Sequence, residues 1–189
     1  RDYDEVVTPS ILNKELWLQS GHWDKYQENM YFTDIDEVEH AVKPMNCPGG
    51  MLIYKNKPHS YRELPIRNFE FGQVHRHEKA GVLHGLFRVR MFTQDDAHIF
   101  CTEEQIEKEV IDVIDFVLNT YKDFGFDDFE IELSTRPEMR IGDDSIWDKA
   151  EEALRLALEH KEIKYTLNPG DGAFYGPKID FHIRDSLKR

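Results

Sequence analysis

Apolar and polar residues alternate through MFTQDDAHIF (91–100), the spacing of an extended strand whose side chains turn to opposite faces. Phe92, Gln94, Asp96, His98 and Phe100 then share one face; Met91, Thr93, Asp95, Ala97 and Ile99 share the other. An amide, a carboxylate and an imidazole in a row, bracketed by phenylalanines, make either a hydrated sheet face or the floor of a ligand site. Strand spacing also marks 3–7, 68–77, 129–133, 164–167 and 173–183, and the strand around 91–100 extends back to residue 87. Residues 31–35 and 39–43 pair as a hairpin around 34–37. Helical signals begin at Thr8-Pro9, a cap followed by a first-turn proline, and run through Ile11, Leu12, Leu16 and Trp17 to Gly21. MNCPGGM (45–51) reads as a turn leading into a short helix over 52–54. Thr102 and Gln105 form a capping box for a long helix with the stripe Ile106, Val110, Val113, Val117 and Tyr121, closed by Gly125. A second amphipathic helix covers 145–160.

Strands outnumber helices and several follow one another directly, which predicts an α+β fold with a largely antiparallel sheet flanked by helices. At 189 residues the chain suits one domain with a full core. The sequence shows no internal repeat, no Gly-rich phosphate loop and no apolar run long enough for a bilayer. It starts without Met or a signal pattern, so a piece of a longer chain is expected.

A net charge of −13 argues against nonspecific nucleic-acid binding by this segment. One stretch departs from that balance: Arg62, Arg67, Arg76, Lys79, Arg88 and Arg90 are opposed only by Glu63, Glu70 and Glu78. Such an island suits a small anion better than a phosphate-backbone track. Cys47 and Cys101 make no disulfide framework and fit a reducing compartment. On FEFGQVHRHE (69–78), Arg76 and Glu78 fall two apart on one strand face. They form either a surface ion pair or a grip on the two ends of a purine nucleotide, a guanidinium fork for phosphate and an acceptor pair for the exocyclic amine. Phe92 beside Arg88 and Arg90 adds an aromatic face of the kind a base stacks on.

Arg76-His77-Glu78, a loop, then Arg88 and Phe92 resemble motif 2 of the class II aminoacyl-tRNA synthetases, and VVTP with Pro9 resembles the end of their motif 1. More narrowly, SGHWDKYQENM (20–30), KPMNCPGG (43–50), SYRELPIRNFEFG (60–72), RVRMFTQDDAHIFCTEEQIEKEV (88–110) and GAFYGPKIDFHI (172–183) are similar to the threonyl branch of that class. The likeness covers essentially the whole chain. Cys47 with Asp96-x-His98 separates it from the prolyl and seryl types.

The resemblance implies one catalytic domain over 1–189, running from the end of motif 1 through motif 2 and lacking motif 3. It implies ATP-dependent activation of threonine and transfer to tRNA(Thr) by a cytoplasmic, homodimeric parent enzyme, the piece alone being weak or inactive. A noncatalytic synthetase-like paralogue is the alternative. Cys47 and His98 would bind a Zn²⁺ ion whose third ligand lies beyond residue 189, and Asp96 would receive the threonine hydroxyl. A metal that needs a hydroxyl ligand rejects valine, where an apolar pocket separates such isosteres by only about 10²-fold. Serine keeps a hydroxyl, so its exclusion needs editing elsewhere. Arg76 would hold the α-phosphate, Glu78 and Phe92 the adenine, with Arg88 beside ATP and Mg²⁺ on its phosphates. Gln94 would lie near the activated carboxyl, Met45, Tyr175 and Lys178 would contact the amino acid or adenylate, and His22 would act near the tRNA 3′ end. Without the likeness, Tyr175 reads as a half-buried strand aromatic, Lys178 as a solvated lysine and His22 as a polar residue just past a helix C-terminus. Gly50 stands where the family's usual MNCPGH run has histidine, and reduced activity or weaker zinc binding is expected from it.

Overall fold

The computed structural model describes residues 2–184. The chain divides into two compact units, Arg1–Cys101 and Thr102–Arg189. In chain order the first holds β1 (Asp4–Glu5), β2 (Ile11–Asn13), α1 (Lys14–Gln19), α2 (His22–Lys25), β3 (Tyr31–Ile35), β4 (Val38–Val42), α3 (Cys47–Lys55), β5 (Ile66–His75) and β6 (Met91–Phe100). The second holds α4 (Ile106–Phe124), β7 (Phe129–Ser134), α5 (Asp144–His160), β8 (Thr166–Asn168) and β9 (Lys178–Ile183).

Antiparallel pairing dominates, as the pattern of elements predicts. In the first unit the strand orders are β1-β5-β6 and β2-β4-β3, with only β1–β5 parallel. The expected hairpin is β3–β4: Ile35 faces Val38, and Asp36 and Glu37 between them have φ of 51° and 65°, the two positive angles a tight two-residue turn requires. The loop between β5 and β6 begins earlier and ends later than the alternation predicts, since the strands stop at His75 and resume at Met91.

Thr8-Pro9 opens no helix. The Thr8 amide and hydroxyl bond to Glu70 on β5 instead, Ile11–Asn13 pairs with β4, and the helix waits until Asn13 Oδ1 accepts the Leu16 amide at 3.3 Å. A long-range carboxylate therefore outcompetes the local cap. Trp17, fully buried with Met30 and Ala41, anchors this part of the unit.

MNCPGGM likewise differs from the expected turn, because α3 starts at Cys47 with Pro48 in its first turn, where proline is tolerated. Its glycines allow close approach rather than chain reversal: a Cβ on Gly50 would lie 3.3 Å from His98 Nδ1.

In the second unit β7 pairs in parallel with β8 and antiparallel with β9, and its core is Ile114, Ile131, Leu133, Ala157 and Leu158. Along α4 the buried line runs through Val110, Ile114 and Leu118 with Ile111, so Val113 of the predicted stripe is exposed. Positions four apart stack on one helix face, and Val113 lies off that face. The strand expected from residue 173 begins only at Lys178; Ala173 and Gly176 form an isolated bridge around a turn.

Candidate active site

The β5–β6 register sets Asn68 opposite His98, Glu70 opposite Asp96, Gly72 opposite Gln94 and Val74 opposite Phe92. All four β5 members are buried. Phe92, Gln94, Asp96 and His98 are half-buried, while Met91, Thr93, Asp95 and Ala97 are exposed. The polar row is thus a partly covered face rather than a fully solvated one.

At one end of this floor the Arg76 amide donates to Arg90 O at 2.9 Å, extending the pairing past β5. The Arg76 guanidinium lies 5.0 Å from the centre of the Phe92 ring, and its Nε donates to Pro44 O at 3.2 Å. Glu78 does not continue the strand face: its amide turns back to Arg76 O at 2.9 Å. It is buried and pairs with Arg88 Nε at 3.2 Å, while Arg90 Nε donates to its carbonyl at 2.9 Å. The ion pair is therefore Glu78–Arg88 rather than Glu78–Arg76, which leaves the Arg76 fork facing the Phe92 end of the floor.

The opposite wall is the segment Lys43 to Cys47. Lys43 Nζ reaches Glu70 Oε1 and Thr8 Oγ1, each at 2.8 Å, in a buried network that ties this segment to β5. Burial by itself would raise the Glu70 carboxyl, but the bonds from Lys43 and Thr8 outweigh it and hold it below its ordinary value. Asn46, 1% exposed, places Nδ2 3.1 Å from Asp96 Oδ2 and 3.5 Å from Gln94 Oε1.

Beside it, single donor atoms of Cys47, Asp96 and His98 all lie within 4.8 Å of one another. Burial, then the nearby Asp96 carboxylate, push the Cys47 thiol up to about 11. A half-buried thiol and carboxylate, with an imidazole alongside, form a donor set that fits a thiophilic cation such as Zn²⁺, which binds the thiolate form. Cys47 and His98, expected as ligands, are brought together, and the Asp96 carboxylate, expected to receive the substrate hydroxyl, lies beside them.

His22 is buried at the start of α2, with Nδ1 2.9 Å from Ser20 Oγ and Nε2 3.2 Å from the Met45 sulfur. Burial lowers its pKa against a smaller opposing contribution from Ser20, so the ring is neutral at pH 7. Met45 thus links His22 to the Asn46–Cys47 wall. In the second unit Tyr175 is 52% exposed on the turn before β9. Lys178 bridges Asp171 and Asp180, each at 3.1 Å. Burial alone would lower its pKa, but the two carboxylates raise it, so it stays a cation. Neither residue has the setting read from sequence, a strand aromatic and a plain solvated lysine.

Sequence reasoning missed Asn46, Lys43, Glu70 and Thr8. One signal was available: a glycine inside a strand marks a close backbone or side-chain approach, and Gly72 is the seat of the Asn46 amide.

A family model described as "tRNA synthetase class II core domain (G, H, P, S and T)" matches residues 31–189. A histidyl-tRNA synthetase from S. aureus, 16% identical with a TM-score of 0.62 over 97% of this chain and 48% of that one, shares the fold. The chain belongs to the class II tRNA synthetase core family, an α+β fold built on antiparallel strands.

Within that class its similarity is to threonine–tRNA ligases. It is 64% identical to that of Acetivibrio thermocellus over 99% of this chain, and 60% identical to that of Thermotoga maritima over all of it. A crystal structure titled as the RNA binding domain of threonyl-tRNA synthetase from Cryptosporidium parvum matches with a TM-score of 0.96 and 51% identity, covering 100% of this chain and 47% of that one. The chain spans 29% of the length of the first two relatives.

Proposed function

We propose that this chain forms the threonine pocket and the α-phosphate side of the ATP site of a threonine–tRNA ligase. The observation that carries the reading is the convergence of Cys47, Asp96 and His98 within 4.8 Å on a partly covered strand face that also presents Gln94 and Phe92. In the first step a threonine carboxylate oxygen attacks the α-phosphorus of ATP, the bond to the β-phosphate oxygen breaks and pyrophosphate leaves. The Arg76 fork, set over Phe92, neutralises charge that builds on the α-phosphate oxygens. Gln94 contacts the carboxyl group being activated, while Glu78, Arg88 and Phe92 frame the adenine end. Mg²⁺ accompanies ATP. Zn²⁺ held by Cys47 and His98 would supply a Lewis acid for the amino and hydroxyl groups of threonine. Asp96 accepts a hydrogen bond from the hydroxyl, so valine, which has no hydroxyl, leaves that acceptor unpaired.

In the second step a terminal ribose hydroxyl of tRNA(Thr) attacks the carbonyl, AMP leaves and the ester forms. His22 is assigned to this second step, near the tRNA 3′ end, by resemblance. Met45, Tyr175 and Lys178 belong to the amino-acid and adenylate contacts by resemblance. Pairing of two parent chains through the motif 1 region is part of the same reading, and Val7 next to it is 82% exposed. Among the described residues no helix is long and apolar enough to cross a membrane. We place the protein in the cytoplasm because its substrates and free thiols fit that compartment.

The test is ATP–pyrophosphate exchange by the full-length protein with threonine, serine and valine, with zinc measured by mass spectrometry. Exchange with threonine and serine but little with valine, at about one zinc per chain, is expected. Absence of exchange from folded, zinc-loaded protein would overturn the reading in favour of a noncatalytic paralogue.

A further inference from the structure

The Asn46 carboxamide is 1% exposed and sits directly on Gly72, where a Cβ would come within 2.2 Å of Oδ1 and 2.3 Å of Nδ2. Its amino end faces two acceptors on β6, Asp96 Oδ2 at 3.1 Å and Gln94 Oε1 at 3.5 Å. Turning the amide over would set Oδ1 against a carboxylate oxygen, so this orientation is the one electrostatics permits. Oδ1 finds no hydrogen-bond partner among the described residues. A buried, unpaired carbonyl is costly, and the arrangement keeps it so that both amino hydrogens can point at the floor.

We infer that Asn46 is a specificity-determining positioning residue for the side-chain hydroxyl of the substrate, an inference that rests on the function proposed above. With Oδ2 of Asp96 taken by Asn46, the other carboxylate oxygen is the one left for the hydroxyl. The 3.5 Å contact to Oε1 of Gln94 favours the orientation in which its amino group is the end free to donate toward the substrate carboxyl. One amide thereby sets the polarity of two neighbouring side chains without touching the substrate. Gly72 belongs to the same device, because any side chain there would take the seat of Asn46.

The experiment compares threonine with 2-aminobutyrate, the same skeleton without the hydroxyl, in the full-length protein and its Asn46→Ala variant. Exchange kinetics are read as kcat/KM for each substrate, calorimetry gives threonine affinity without turnover, and mass spectrometry gives zinc content. The expected result is a fall of about tenfold or more in the threonine to 2-aminobutyrate ratio and a matching loss of threonine affinity, with zinc retained. The isosteric Asn46→Asp, which replaces donors by an acceptor, and Gly72→Ala, which evicts the amide, lower the same ratio. An unchanged ratio with equal losses for both substrates assigns Asn46 a merely structural role and overturns the inference, as does a ratio that falls only together with zinc. Wild-type protein that shows no threonine-dependent exchange overturns the parent reading as well.

Discussion

Lys43→Met replaces a buried ammonium by an apolar side chain of similar length and leaves Glu70 without its cation. The two groups are 2.8 Å apart with side-chain exposures of 3% and 6%. Removing one partner of such a pair costs about 3–5 kcal/mol, because the remaining charge is left out of water. Here the lower end applies, since the Thr8 amide and hydroxyl still donate to the Glu70 carboxylate at 2.9–3.0 Å. For a chain of this size, unfolding in urea has a slope of about 2 kcal/mol per M, so a loss of about 3 kcal/mol moves the midpoint down by about 1.5 M.

Fluorescence of Trp17, fully buried in the same unit, reports the transition. The pH dependence is the sharper part of the test. In the wild type Glu70 lies below its ordinary 4.5, so its contribution is present above 4.5 and is lost as pH falls through the lower, folded value. In the variant the cation no longer helps to offset burial, so the carboxyl moves up from its wild-type position. Protonation of Glu70 removes the charge that Lys43 no longer balances, so the cost of the substitution eases as pH falls. The difference between wild type and variant should therefore be full at pH 7 and shrink toward pH 4. A difference below about 1 kcal/mol at pH 7, the range of an exposed pair, or one that does not change with pH, would refute the reasoning.

Two further outcomes follow from the site. Gly50→His places a Cβ 3.3 Å from His98 Nδ1, tighter than an ordinary contact, so the imidazole must give by a few tenths of an ångström. Zinc affinity and turnover should move by about tenfold or more, upward if the family's usual histidine supports the metal site, and titration against a competing chelator would show no change if the reasoning fails. His22→Ala should slow ester formation on tRNA by about 10²-fold while pyrophosphate exchange is largely retained, since the ring is assigned to the second step only. Equal loss in both assays would remove that assignment.

The sequence by itself determined the elements whose signals are local. The alternation of 91–100 sorts Gln94, Asp96 and His98 onto one face whatever strand lies beside it, and β6 shows that sorting. The capping box at Thr102, the hairpin at Asp36-Glu37 and the helix from Asp144 to His160 likewise need only near neighbours.

What failed was decided at long range. Thr8 has the chemistry of a helix cap, but Glu70, sixty-two positions away, takes its amide and hydroxyl, so a strand forms where a helix was signalled. Pro-Gly-Gly reads as a turn, yet α3 runs through it, and its Gly50 backbone comes up against His98. Asp96 became a neighbour of Cys47, and Asn46 its clamp, only when α3 packed onto the β5–β6 face. No periodicity in one segment encodes such a juxtaposition, because it depends on which buried polar groups find partners once water is excluded.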